Sequence, residues 1–142
     1  MIILDTNIVS ELMKPSPASE VQSWLLHLGD TPLATTAISI SEIVYGLARL
    51  PEGQRKAALT SRFEEYVGAH SPLAVLPFDD IAAREAGRMR ALRQAAGLNA
   101  QPSDMMIAGI AAATGAALAT RNVKDFETLA IQIIDPWNAS QA

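Results

Sequence analysis

The chain has 142 residues, is 49% hydrophobic and carries a net charge of −4, with no cysteine and only two histidines. That length suits one domain, residues 1–142, burying roughly 68–70% of its unfolded surface, and no apolar run nears the ~18 residues of a membrane span. The missing cysteines exclude disulfides and thiolate chemistry and fit a cytoplasmic protein, while the acidic balance argues against broad electrostatic binding of nucleic acid and leaves only local basic patches for that purpose.

Met1 to Leu4 is an apolar run that reads as a buried strand, with neither a basic leader nor a cleavage site before it. It stops on Asp5-Thr6-Asn7, where the chain turns into a short helix over 7–13, ended by Pro15 and Pro17. Val21, Trp24, Leu25 and Leu28 recur at helical spacing and mark a second helix, closed by Gly29. Leu33 to Thr36 is a short strand. Ile40, Ile43, Val44 and Leu47 mark a third helix, and Leu59, Phe63, Tyr66 and Val67 a fourth that ends near Gly68. Leu73 to Phe78 reads as the third strand. Asp79-Asp80 opens a fifth helix with the stripe Ala82, Ala86, Met89, Leu92 and Ala96, followed by Gly97. Pro102 starts a sixth, alanine-rich helix that runs to Gly115. Ala117 to Thr120 and Ile131 to Ile134 complete the strands, and Trp24 and Trp137 are expected to pack. Strands alternating with helices predict right-handed crossovers and a mostly parallel sheet of four or five strands flanked by helices, an α/β architecture.

In such a sheet the helix N-termini gather at the carboxyl edge of the strands, where ligands bind. Asp5, Glu42, Asp104 and Asp125 all fall at strand ends or in early helical turns, so the topology is expected to bring four negative charges together. Each acid also has a plainer explanation. Asp5 is placed to cap a helix. Ser39-Ile40-Ser41-Glu42 fits a capping box, unless the helix starts near Thr36 and Glu42 lies deeper. Asp104 suits the helix dipole, but the uncharged stretch 105–113 after it reads as a buried helix, so its acid needs a partner. Asp125, like Asn122, is an ordinary turn residue. With Thr120, however, the pair presents a hydroxyl, an amide and a carboxylate just past a strand.

The segments Ile3-Leu4-Asp5-Thr6-Asn7, Ser41-Glu42 with Gly46, Asp104 opening an alanine-rich helix, and Thr120-Arg121-Asn122-Val123-Lys124-Asp125-Phe126 resemble the PIN-domain ribonucleases. More narrowly the chain is similar to VapC-type toxins, including the FitB-like subgroup, and Asp135-Pro136-Trp137 resembles their Asn-Pro-Trp ending. The resemblance spans the whole chain. It implies a PIN-like three-layer fold and metal-dependent RNA cleavage, with Asp5, Glu42 and Asp104 matching the acidic ligands. At the fourth position this chain has Asn122, with Asp125 three residues on, which leaves open which of the two completes the site. The resemblance further implies a homodimer, in which the apolar stripes of the third and fourth helices would take part. It also implies an antitoxin, encoded by a neighbouring gene, that covers the acidic cleft.

The residues themselves point the same way. No suitable Ser/His pair and no lysine in a glycine-rich phosphate loop is present, so the phosphodiester hydrolysis that the resemblance implies would rest on metal ions, and oxygen-only ligands favour Mg²⁺ or Mn²⁺. Thr6, Asn7, Thr120 and Asn122 would orient waters and the scissile group. Arg84, Arg88, Arg90 and Arg93, with Arg49, Arg121 and Lys124, are the candidates for attracting RNA, against the plainer expectation that helix arginines are solvated or paired. The competing readings are a non-catalytic module of the same fold that sequesters RNA or a protein, and a phosphatase, for which Asn7 stands where a second Asp is needed.

Overall fold

The computed structural model describes residues 1–139, so the last three residues of the expected 1–142 domain lie outside the described residues. The apolar run forms β1 (Ile2–Leu4), which lies at the centre of a five-stranded sheet. The order is β3 (Ala74–Leu76), β2 (Leu33–Thr36), β1, β4 (Ala117–Ala119), β5 (Ile133–Ile134), and every neighbouring pair is parallel. Ile3 pairs with Ala34 on one side and Leu118 on the other. The helices are the crossovers: α1 (Thr6–Leu12) and α2 (Ser19–His27) after β1, α3 (Ala37–Arg49) and α4 (Gln54–Val67) after β2, and α5 (Asp80–Ala95) and α6 (Pro102–Thr114) after β3.

The period-two alternation of β1 divides the core. Ile3 faces the layer built from α5 and α6, with Met89, Met105, Ile107, Ala108 and Leu118. Ile2 and Leu4 face the other layer, with Ile8, Val9, Trp24, Ile43, Leu47 and Phe63 from α1 to α4. These are the three layers expected. They also bury Ile43, Leu47 and Phe63 of the α3 and α4 stripes inside the chain, while Val44 of the α3 stripe stays exposed.

Several element ends move by a residue or two, and one helical stripe changes. The third strand ends at Leu76 rather than Phe78, since Pro77 has no amide to continue the ladder. The fifth strand starts at Ile133 rather than Ile131. In α5 the stripe Ala82, Ala86, Met89 continues to Arg93, which is 2% exposed, while Leu92 is 56% exposed. Arg93 is therefore no RNA contact. Its guanidinium donates to the carbonyls of Asn99 (2.7 Å), Lys124 (3.1 Å) and Glu127. Those bonds staple α5 to the loop before α6 and to the 3₁₀ turn Val123–Asp125.

α6 is enclosed by the core. Pro102 starts it and Gly115, with φ +69°, ends it in the left-handed conformation that glycine tolerates. Midway along, Gly109 lets α5 approach closely. A Cβ there would lie 2.4 Å from the Ala82 carbonyl oxygen and 2.9 Å from the Ala86 nitrogen.

Candidate active site

The chain runs β1, β2, β3 outward in one direction and then returns to place β4 on the other side of β1. That reversal makes the β1/β4 boundary the switch point, and a crevice opens beyond the carboxyl ends of the two strands. Asp5 leaves β1 there and is 4% exposed. It caps α1, its Oδ1 accepting from the Thr6 amide at 2.8 Å, while its Oδ2 accepts from the Thr120 hydroxyl at 2.7 Å across the switch point. The Asn7 amide lies 3.4 Å from the same oxygen, a weaker contact. Burial raises the Asp5 carboxyl pKa, the Thr120 and Thr6 donors lower it, and the charges of Glu42 and Asp125 raise it again. The net direction is upward.

Thr120 is itself fixed. Its amide donates to the Ile134 carbonyl at 2.9 Å, and its hydroxyl oxygen accepts from the Asn122 amide at 3.1 Å. Glu42 lies in the second turn of α3, because Thr36 is the cap and accepts from the Ser39 amide at 3.0 Å. The capping box drawn on Ser39 does not form. Instead the exposed Glu42 accepts from the Thr6 hydroxyl at 2.8 Å, and that hydroxyl lies 3.0 Å from Ser39 Oγ, whose proton it can take.

Asp104 enters from the other layer, in the first turn of α6. Its carboxylate has no hydrogen bond or ion pair among the described residues. Burial pushes its pKa from 3.8 up to about 6, helped by the charges of Asp5, Asp125 and Glu42 and opposed by Arg93. Asp125, in the 3₁₀ turn, is close enough to raise the carboxyls of both Asp5 and Asp104 but does not line the cleft. Asn122 does line it. Like charges keep their distance here: among the described residues no three acids or imidazoles are gathered into a ready metal nest. The donors are nonetheless all oxygens. Asp104, pushed up by burial and by three neighbouring acids and left without a donor, is a group that a hard cation would relieve.

The cleft occupies about 440 Å³, and Asp5, Glu42, Asp104 and Asn122 share its wall with residues the sequence reading passed over. Glu11 is buried, bonded to Lys14 Nζ at 2.9 Å and to the Ala18 amide at 3.0 Å, and chiefly the Lys14 bond lowers its pKa. Its spacing of four from Asn7 places it on the same helical face and was the available signal. Trp137 packs against the core, as expected, but also lines the cleft and carries the Arg121 guanidinium 4.4 Å from its ring centre. Arg84 and Arg88 pair with Asp80 and Glu85 at 3.0 and 2.9 Å, the plainer of the two expectations.

Residues 2–131 match the PIN domain family. A VapC ribonuclease of Sinorhizobium fredii is 36% identical over 137 residues, which cover 96% of this chain and 98% of that protein. Toxin FitB of Neisseria gonorrhoeae is 30% identical over 97% of this chain and 99% of its own. Among solved structures, FitAcB from Neisseria gonorrhoeae superposes with a TM-score of 0.86 at 30% identity, covering 98% of this chain and all of its counterpart. DNA-bound VapBC from Salmonella typhimurium gives 0.77 at 29% identity, covering 95% and 97%. The chain belongs to the PIN-domain family, beside its members named VapC and FitB.

Proposed function

We propose that this chain is a divalent-metal-dependent endoribonuclease, a single PIN domain that acts as the toxin of a toxin–antitoxin pair. The observation that carries the reading is the pair of raised carboxyls, Asp5 and Asp104, set from opposite layers into one cleft at the switch point. Asp5 caps α1 as well, but acids with perturbed pKa values that share a cleft cluster where chemistry is done. The relatives named ribonucleases and toxins support the same reading.

Asp5, Asp104 and Glu42 would hold Mg²⁺ or Mn²⁺, with Asp125 adding negative charge from behind and Asn122 lining the cleft beside them. A bound ion supplies charge neutralisation at the scissile phosphate and a more acidic water. The chain's own groups do the rest. Thr120 and the Thr6 amide fix the Asp5 carboxylate, the Thr6 hydroxyl aims Glu42 across the cleft, and Asn7 and Asn122 present amides to substrate or water. The test is cleavage of a defined RNA by purified protein with Mg²⁺, Mn²⁺ or EDTA. Cleavage should require the metal and disappear in Asp5→Asn. Activity that survives EDTA, or survives Asp5→Asn, rejects the reading.

As a toxin the chain would pair with an antitoxin from a neighbouring gene, as the FitAB and VapBC complexes do. It would also form a homodimer in the cytoplasm. Ile43, Leu47 and Phe63 of the α3 and α4 stripes are buried within the chain, so the exposed Val44 and Tyr45 of α3 would contribute to that contact. Co-expression with the adjacent small gene, then size-exclusion chromatography with light scattering, tests both. A monomer that ignores its neighbour's product and leaves growth unaffected rejects the toxin role.

A further inference from the structure

We propose that Arg121, seated on Trp137, is the phosphate-binding group of the cleft and grips the backbone of single-stranded RNA beside the acidic cluster. This deepens the nuclease reading and rests on it.

The residue is placed with care at both ends. Its main chain follows Thr120, and its amide donates to Asn7 Oδ1 at 3.3 Å, which ties the loop to α1. Its guanidinium lies over the Trp137 ring, 4.4 Å from the centroid. The ring is fixed in turn by Asp135, whose Oδ1 accepts from the Trp137 amide at 3.0 Å and whose Oδ2 accepts from Asn138 Nδ2 at 2.8 Å. Asp135 Oδ1 thus closes an Asx turn on the Trp137 amide, while Oδ2 accepts from the Asn138 side chain, a bond that the amide nitrogen of an Asn at this position could not accept. The buried Glu11 lies within electrostatic reach of Arg121, yet both its oxygens are engaged, by Lys14 and by the Ala18 amide. It attracts the guanidinium without consuming its donors.

What Arg121 does not do matters as much. It shares a cleft with Asp5, Glu42 and Asp104, yet among the described residues its guanidinium makes no ion pair and no hydrogen bond. Arg93 has committed all three guanidinium nitrogens to carbonyls, and Arg84 and Arg88 are each held by a neighbouring carboxylate on α5. Arg121 keeps a planar fork of donors available, pre-oriented by the stacked ring, which is the geometry that recognises a phosphate through two parallel bonds. A chain of net charge −4 whose cleft is walled by carboxylates needs a fixed cation where a phosphodiester approaches.

The experiment measures binding of a short fluorescent single-stranded RNA in EDTA by anisotropy, and steady-state cleavage with Mn²⁺, for wild type and variants. Arg121→Ala should weaken binding and raise KM by about tenfold or more, with a smaller change in kcat, and should lower the salt slope by roughly 0.7. Arg121→Lys keeps the charge but not the fork and should fall between. Trp137→Phe should bind nearly as wild type, and Trp137→Leu more weakly. The Mn²⁺-induced rise in Tm, which does not involve RNA, should persist in Arg121→Ala and shows that this variant is folded with its acids in place. If Arg121→Ala binds RNA and cleaves with an unchanged KM, Arg121 is only a cover for Trp137 and the proposal is overturned. A wild type with no metal-dependent cleavage overturns the nuclease reading itself, whatever Arg121 does.

Discussion

The two sides of the cleft hold their carboxylates in opposite ways. On the floor, where β1 and β4 meet, Asp5 is buried but accepts from Thr6 and Thr120, so its charge is desolvated yet bonded. On the α6 wall, Asp104 is half-buried and accepts from nothing described, and its pKa rises to about 6. In the proposed metal site the floor would fix the position of a bound cation, and the wall would hold electrostatic tension that the cation releases. The difference teaches that a cluster of acids is not uniform: the bonded member would set geometry and the unbonded member affinity.

The sharpest way to break this comparison is to neutralise each acid in turn. Asp5→Asn and Asp104→Asn should both lose cleavage by on the order of 10²–10³-fold, measured as kcat/KM at saturating Mn²⁺. Without metal they should separate. Asp104→Asn should melt higher than wild type, because a repulsive, unbonded charge is gone. Asp5→Asn should rise less, because it also trades the charge-assisted bonds from Thr6 and Thr120 for weaker ones. Identical melting shifts would erase the distinction. Next, Glu42→Gln should lose about 10²-fold in cleavage with stability unchanged to within about 0.5 kcal/mol, since its side chain is exposed and Thr36 already caps the helix. Normal activity in that variant would remove Glu42 from the cleft's chemistry.

Arg93→Met tests how the α6 wall is held. It leaves three loop carbonyls without their donor and removes the cation that opposes the Asp104 shift. Denaturant unfolding should show a loss of about 3 kcal/mol. The smallest effect is in pH. Asp104 binds its proton more tightly folded than unfolded, so between pH 3.8 and about 6 the folded state carries a proton the unfolded state lacks. Metal-free stability attributable to Asp104 therefore falls as pH rises through that window, and the penalty is complete above it. The readout is the Tm difference between wild type and Asp104→Asn, because Glu11, with its lowered pKa, loses stability in the opposite direction as pH falls. A difference that stays flat from pH 4 to 7 would contradict the assignment.

The strand-to-acid junctions were legible from sequence because they depend on local signals: an apolar run, then polar residues, then helical spacing. Asp5, Thr120 and Asp104 stand at element ends for that reason. Arg93 was misplaced because its burial answers to carbonyls 31 and 34 residues away, and no periodicity encodes those. Leu92, apolar and one step off the true stripe, supplied the false match. Glu42 turned on a single choice of cap between Thr36 and Ser39, both hydroxyl residues, which only the packed structure decides. Trp137 was expected to be core and is half so; the second half, its contact with Arg121, joins positions that are adjacent only after β4 and β5 pair.

Gly109 gives the fold an unexpected point of leverage. It lies one and a half turns beyond Asp104 on α6, against Ala82 and Ala86 of α5, and α5 also carries the arginine that grips the turn holding Asp125. A single added methyl would act as a wedge between the two helices, prising Asp104 and Asp125 apart without touching either. The packing of that seam therefore sets where two of the acids stand, although neither of them is part of it.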